Sequence, residues 1–461
     1  MPAFTGEELE TWSGGRWEGS RRFEARGVST DTRNLVPGSL YIAIRGKRFD
    51  GHAFVEQAFE KGAVAAMVSD SYQVPAVLAR HGFLGVKETL AALQSLARGY
   101  RASLKIDIVG VTGSVGKSTV KEMTANVLGV AAPTARTRGN WNNEIGVPLS
   151  LLAMDRGTSV GVFEVGTSHP GELAPLCRML SPSWGIVTNV GPVHMEFFAS
   201  MDAIADEKGR LLESLSANGT SVLTKDDAFF NKLRSKAPAR VITVSMKYDA
   251  DYTTESISDN GQEAVVREKA SGERFSFRLP VCGDHNVGNA MFAIAVARGR
   301  GMGWDDIRRG LEAYRPLPMR WAEEHVCGVT IINDAYNANP VSMRAAVDTF
   351  ARMKTVGRKW LVMAGMLELG AGEREAHIDV GRHVGRMEWG GLVTVGERGT
   401  WIAAGAREAG LAESRIYTCG DCAEAAQVLF HGVSAGDAIL LKGSRGTRLE
   451  TVRDQYVLLS V

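Results

Sequence analysis

The sequence predicts an α/β protein of three domains, on three observations. Apolar strand-like runs alternate with amphipathic helix-like runs along the whole chain, the pattern of sheets covered by helices. At 461 residues the chain is too long for a single hydrophobic core. The stretch Arg315-Pro-Leu-Pro318 interrupts the pattern, and paired prolines end helices and stiffen a connection.

The first segment, residues 1–105, holds a polar strand-turn region from Ser29 to Gly51. A helix-like stretch (Ala53 to Lys61), an apolar strand (Ala63 to Val68) and a closing helix (Lys87 to Arg101) follow. The second, residues 106–316, opens with the strand Ile106 to Val111 and a glycine-rich turn. Strand-like runs at Val160 to Val165, Gly185 to Val190, Val222 to Thr224 and Val241 to Val244 suggest a mostly parallel sheet. From Asp251 to Leu279 short polar–apolar alternation with Asp-Asn-Gly and Ser-Gly turns predicts antiparallel hairpins, and a helix from His285 to about Arg300 closes the segment. The third, residues 317–461, has strand-like runs near Val329, Trp360, Gly391, Arg415 and Asp437 separated by helical ones, a compact Rossmann-like set of βα units.

Composition excludes several classes. With a formal net charge of +1 there is no global field to draw the chain to nucleic acid or anionic lipid. The N-terminus is acidic, without the basic-then-apolar pattern of a signal peptide. The most apolar stretches, such as Ala290 to Ala297, are too short to span a bilayer. Five scattered cysteines make no disulfide framework, which fits a reducing cytosol. Cys419 and Cys422 form a CxxC, but a zinc site needs a second ligand pair and none has suitable spacing, so two small residues beside a helix start are expected.

The sharpest motif is Ile106-Asp-Ile-Val-Gly-Val-Thr-Gly-Ser-Val-Gly-Lys-Ser-Thr119, a strand, a glycine turn and a helix start. Gly113 and Gly116 let the backbone of Ser114 and Val115 curl so that N–H groups converge on phosphate oxygens. The helix N-terminus at Thr119 adds partial positive charge. Lys117 can reach terminal phosphates, and the Ser118 hydroxyl can bind magnesium. The strict P-loop pattern requires glycine at 111, where this chain has valine, with Gly110 one residue early.

That spacing resembles the Mur ligase variant, Gly-x-Thr-Gly-Ser-x-Gly-Lys-[Ser/Thr], and the resemblance extends over nearly the whole chain. Thr137-Arg-Gly-Asn-Trp-Asn-Asn-Glu-Ile-Gly-Val-Pro-Leu149 resembles a block near that family's active site, which holds Asn140 and Asn142. Phe163-Glu-Val-Gly166, Thr188-Asn-Val-Gly-Pro-Val-His194 and Asp284-His-Asn-Val-Gly-Asn-Ala290 follow in family order. The family's fold is then expected: an N-terminal UDP-binding α/β domain, a central P-loop ATPase domain and a C-terminal Rossmann-like domain.

Glu164 and His194 each follow an apolar strand, at the sheet edge where ligands of open α/β sheets bind. Taken alone they could be a surface carboxylate and a locally satisfied histidine. The resemblance implies that they join Ser118 as ligands of magnesium, two ions in all. It also implies that Asn286 contacts adenine, with Asn289 beside it, although capping would explain an asparagine at a helix start. Arg320 and Asp334, after the linker, match positions that touch ATP phosphate and ribose, so ATP binding would close the molecule. Met201 to Leu215 reads as a helix whose Asp206, Glu207 and Lys208 would ordinarily form a solvated face. By resemblance Lys208 is carbamylated, and only the carbamate could support magnesium. Here Lys208-Gly-Arg210 replaces the frequent Lys-Gly-Glu.

The C-terminal segment narrows the reaction. Asn333-Asp-Ala-Tyr-Asn-Ala-Asn-Pro-Val-Ser-Met343 and Met366-Leu-Glu-Leu-Gly370 resemble the branch that adds D-alanyl-D-alanine to a UDP-muramoyl tripeptide, a peptidoglycan precursor. Ala364-Gly365 stands where that branch usually has Gly-Asp. Asn337 and Asn339, with Lys442 and Ser444 of Leu441-Lys-Gly-Ser-Arg445, are the expected substrate-binding residues, the last two for a carboxylate. In the first domain, Ser29-Thr-Asp-Thr-Arg33 and Phe49-Asp-Gly-His52 look like UDP-binding segments, while Asp31 and Arg33 could equally be a turn with a surface ion pair. The implied reaction runs through an acyl phosphate in a cytoplasmic monomer, with Lys117, His194, Lys208 and Arg320 as its catalytic set. Another amide ligase of the superfamily, diamino-acid-adding or folylpolyglutamate-forming, and a P-loop binding protein without ligation remain alternatives.

Overall fold

The computed structural model describes residues 1–18, 24–46, 49–238 and 240–460; residues 19–23, 47–48, 239 and 461, inside the three predicted segments, lie outside the described residues. Among the described residues the long sheets are three, one in each segment.

The first sheet runs in the order Arg16–Glu18, Gly82–Val86, Ala65–Ser69, Leu40–Ile42, Val28–Ser29, parallel except for its first strand. The predicted helix at 53–61 starts as a 3-10 turn, Gly51–Phe54, because the Asp50 carboxylate accepts from the His52 N–H and tightens it; the α-helix is Val55–Glu60. The helix Thr89–Ser103 buries Ala92, Leu93, Leu96, Ala97 and Tyr100 at helical spacing. These side chains share one apolar cluster with Leu151, Phe163 and Leu176, so this helix seats the first domain on the second.

The central sheet orders its strands Arg274–Arg278, Glu263–Glu268, Tyr252–Ile257, Arg240–Ser245, Thr220–Thr224, Trp184–Val187, Asp107–Thr112, Val160–Glu164, Thr134–Arg136. It is parallel from Thr134–Arg136 as far as Tyr252–Ile257, and the two hairpins beyond are antiparallel. The strand expected at 185–190 ends at Val187, because Thr188 and Asn189 turn to hydrogen-bond the phosphate loop. The helix Asp284–Gly299 is buried on nearly every side and packs against the phosphate-loop helix Lys117–Gly129.

In the third sheet the order is Ala322–Val326, Val329–Asn333, Ala438–Lys442, Lys359–Ala364, Gly391–Val395, Ile416–Cys419, parallel except for Ala322–Val326. That first strand was not expected; with Glu323, Glu324 and His325 it carries no apolar run and forms by pairing along Val329–Asn333. Nor was the helix Gly6–Ser13, although its capping box of Thr5 and Glu8 stands in the sequence.

The solvated face that charge alone suggests for 201–215 is buried at two of its three charged residues. In the helix Met201–Glu213, Glu207 and Lys208 are buried, and Asp206 alone of the three faces outward, paired with Lys232 and Lys236. Ile204, Lys208, Leu211 and Leu212 share one helix face, and that face is turned inward.

Candidate active site

The phosphate loop joins the strand Asp107–Thr112 to the helix Lys117–Gly129. Two of its glycines are required by space and backbone together. Gly113 has φ +147°, and an added Cβ would lie 1.9 Å from Thr188 Oγ1; Gly116 has φ +82°, with Asn289 Oδ1 at 2.5 Å. Asn189 braces the loop: its carbonyl accepts from Ser114 N and its side-chain oxygen from Val115 N. The first-turn N–H groups of the helix, at Lys117, Ser118 and Thr119, have no intrahelical acceptor and suit an anion. Lys117 folds over the loop and donates to the carbonyls of Gly113 (2.8 Å) and Ser114 (3.2 Å). Burial pushes its pKa below the ordinary lysine value; Glu164 opposes this and Arg320 adds to it.

Glu164 ends its strand one position across from the phosphate strand and is 1 % exposed. Its carboxylate accepts from Ser118 Oγ at 2.6 Å and from Asn142 Nδ2 at 2.7 Å, while its N–H donates to Thr137 Oγ1. Asn142 thus holds the carboxylate rather than facing open space. The Thr137 segment is itself anchored by Lys121, a fully buried ammonium that donates to the Thr137 and Gly139 carbonyls, each at 2.9 Å, and pairs with Glu122. The sequence reading missed Lys121.

His194 has left-handed backbone, φ 55°, and its Nδ1 lies 2.5 Å from Glu368 Oε2 of the third sheet's domain. Burial lowers its pKa, against the Glu368 hydrogen bond and with help from the charges of Lys117 and Lys208. Lys208 is 2 % exposed, and its pKa is pushed well down, first by burial and then by Lys117, with Glu207 opposing. Glu207 is engaged elsewhere, its two oxygens accepting from Gly171 N and Leu173 N at the start of the helix Leu173–Leu180.

A cavity of about 410 Å³ opens between the central and C-terminal domains. Its walls include Ser114 to Thr119, Asn286 and Asn289 on one side, and Arg320, Asp334, Asn337, Asn339 and Lys442 on the other. Met246, Val281, Phe292 and Tyr314 make part of it apolar, the mixture a nucleotide's base and phosphates require. Asn286 is no cap; its Nδ2 donates to Cys282 O, and Asn289 Nδ2 donates to its Oδ1. The Arg320 guanidinium lies 4.3 Å over the Tyr336 ring, which also meets Asn140. Asp334 accepts from Trp321 N and from Lys442 Nζ at 2.6 Å.

Other expected residues sit differently. Lys442 Nζ donates to Asp334 Oδ2 and to the carbonyls of Asp334 and Asn337, which occupies all three ammonium protons. In this arrangement it fixes Asp334 rather than presenting a cation to a carboxylate. Ser444 Oγ accepts from Leu367 N and donates to Ala338 O. Asn339 caps the helix Pro340–Arg352. Asp31 and Arg33 form the surface ion pair, with the Arg33 side chain 85 % exposed, and neither lines the cavity. Cys419 and Cys422 are free, and Cys422 opens a helix.

Among the described residues no group of three His, Cys, Asp or Glu side chains forms a ready metal cluster. Magnesium does not require one, since it takes one or two carboxylates and completes its shell with water and phosphate oxygens. A buried hydroxyl and carboxylate 2.6 Å apart at a phosphate loop fit that demand.

Comparison with known proteins agrees with this geometry. Residues 111–297 match the Mur ligase middle domain, 319–445 the Mur ligase glutamate ligase domain, and 24–101 the Mur ligase family catalytic domain. The chain is 36% identical to the UDP-N-acetylmuramoyl-tripeptide–D-alanyl-D-alanine ligase of Bacillus subtilis, covering 92% of each. Its fold is similar to that of MurF from Acinetobacter baumannii, with a TM-score of 0.89 over 99% of both chains at 28% identity. It also resembles MurF ligase from Thermotoga maritima in complex with ADP, with a TM-score of 0.81 over 95% of this chain and 98% of that one at 27% identity.

Proposed function

The chain belongs to the Mur ligase family, and from that premise we infer that it joins D-alanyl-D-alanine to a UDP-N-acetylmuramoyl tripeptide at the expense of ATP. The observation that carries the reading is the cavity, whose phosphate-binding and cation-bearing walls come from two different domains. In our reading the tripeptide carboxylate attacks the γ-phosphorus of ATP, ADP leaves, and an acyl phosphate forms. The dipeptide amine then attacks the acyl carbon, loses a proton, and expels inorganic phosphate.

Both steps bring anions together, so the protein's share is positioning and charge neutralisation. The loop N–H groups and Lys117 cradle the β- and γ-phosphates. Arg320, lying over the Tyr336 ring, meets them from the opposite wall, while Asn286 and Asn289 face the base and Asp334 the ribose. Ser118, Glu164, His194 and a carbamylated Lys208 would hold magnesium, and the metal would supply charge neutralisation between the two anions. Carbamylation needs a neutral amine, and the burial of Lys208 favours that form. We place the UDP moiety on the first domain near Asp31 and Arg33, and substrate near Asn140, Asn142, Asn337, Asn339, Lys442 and Ser444, with domain divisions at 105 and 316. Among the described residues no helix is long and apolar enough to cross a membrane; a cytoplasmic monomer is our proposal.

Phosphate release should require ATP, magnesium, UDP-muramoyl tripeptide and D-alanyl-D-alanine together. Turnover of a dipeptide precursor with a free diamino acid, but none with D-alanyl-D-alanine, would overturn the substrate assignment. Nucleotide hydrolysis indifferent to both carboxylate and amine would overturn ligation itself.

A further inference from the structure

The contact between His194 and Glu368 crosses from the central to the C-terminal domain, and both ends of it are strained. Each residue lies in the left-handed region, His194 at φ 55° and Glu368 at φ 63°, where non-glycine residues stand at a cost unless their surroundings hold them. The surroundings do so on both sides. Phe197 N and Phe198 N donate to the His194 carbonyl. The turn carrying Glu368 is fixed by Met366 N donating to the buried His377 Nε2 at 2.8 Å, and by Leu367 N donating to Ser444 Oγ. His377 is anchored in turn through Nδ1–H to the Glu373 carbonyl. Gly370, at φ 65°, lets the turn lie against the Glu196 backbone, 3.4 Å from where a Cβ would stand.

We propose that Glu368 is a positioning residue, delivered by the C-terminal domain, that orients the His194 ring toward the metal. A carboxylate can only accept, so the neutral ring facing it carries its proton on Nδ1 and keeps the Nε2 lone pair for a ligand. Among the described residues no hydrogen bond engages Nε2. A carboxylate behind a ligating histidine fixes its tautomer and raises its basicity. Because this carboxylate belongs to another domain, docking of the C-terminal domain strengthens His194 as a ligand. The inference rests on the assignment of His194 as a magnesium ligand and extends it to the residue behind it.

The test uses the full-length enzyme with a non-hydrolysable ATP analogue, reading Mn2+ binding by electron paramagnetic resonance beside the KM for Mg2+ in turnover. Glu368→Ala should weaken Mn2+ about tenfold, the lower end of the effect of losing such a partner, and raise the KM for Mg2+ similarly. At saturating Mg2+ its kcat should stay close to wild type. Glu368→Gln, whose amide oxygen still accepts from Nδ1–H, should recover most of the Mn2+ affinity. Wild-type Mn2+ affinity in Glu368→Ala, with His194→Ala impaired, would overturn the proposal; so would a fall in kcat and thermal stability without a change in Mn2+ affinity, or a glutamine variant no better than alanine. If His194→Ala also binds Mn2+ normally, the ligand assignment fails first and takes the proposal with it.

Discussion

Replacing Lys121 by methionine should cost far more stability than its place just after the phosphate loop suggests. The ammonium is fully buried, donates to two carbonyls at 2.9 Å, and pairs with Glu122 at 2.9 Å. Methionine fills much of the volume but leaves the Thr137 and Gly139 carbonyls without their donor. Hydrogen bonds to a charged group contribute about 1.5–3 kcal/mol each, and breaking a buried pair costs about 3–5 kcal/mol. The two carbonyl bonds alone account for about 3–5 kcal/mol, and the lost pair adds little, because Glu122 keeps Arg136 at 3.0 Å and is not orphaned. In a domain of this size that lowers the melting temperature by roughly 6–20 °C, read by calorimetry. Thr137 Oγ1 accepts from the Glu164 N–H, so the KM for Mg2+ should rise as well. The double variant Lys121→Met, Glu122→Gln should lose less than the sum of the single changes. A melting temperature within about 2 °C of wild type would show that the carbonyls find other donors, and the reasoning would be refuted.

Lys208→Ala should abolish most turnover, with partial rescue by added short carboxylates, and Lys208→Arg should do no better; near-normal activity in the arginine variant would refute the carbamate. Scattering should show a more compact particle with ATP analogue and tripeptide than without, and an unchanged profile at saturation would count against closure. Glu268 is held down to about 2, first by its Arg298 hydrogen bonds and also by Tyr252 and Ser271, in a side chain only 10% exposed. Its contribution is therefore complete above the ordinary carboxylate value of 4.5 and fades as pH falls toward 2. Glu268→Gln should cost ~3 kcal/mol at pH 7, with a deficit in thermal melts that shrinks below pH 4.5; a deficit independent of pH would refute it.

The phosphate loop was legible because its chemistry needs particular residues adjacent in sequence: Gly113, Gly116, Lys117 and Ser118 lie within one turn. Glu164 was legible as a carboxylate at a strand end, whereas its bond to Ser118, forty-six positions away, depends on which strands become neighbours. Lys208 shows a signal read too weakly. Charge suggested solvent, yet its spacing from Ile204, Leu211 and Leu212 put it on the apolar face. Lys121 likewise lies between Val120 and Met123, and its partners are carbonyls, which no side-chain pattern reveals. Glu368 stands inside a motif, yet nothing adjacent in sequence reveals its role, because its partner His194 belongs to another domain.

Arg320 stands between Met319 at φ 59° and Trp321 at φ 55°. A side chain bracketed by two left-handed residues is directed by the backbone, so its aim travels with the chain that follows it. The arginine of the cavity wall is therefore inherited with the C-terminal domain, not with the phosphate loop across from it. Exchange of C-terminal domains between relatives would transplant Arg320 together with its whole turn only when the crossover falls before Met319. A junction a few residues later would leave the donor domain's substrate pocket joined to the host's arginine turn. Chimeras made on either side of that position would then differ in activity far more than their few differing residues suggest.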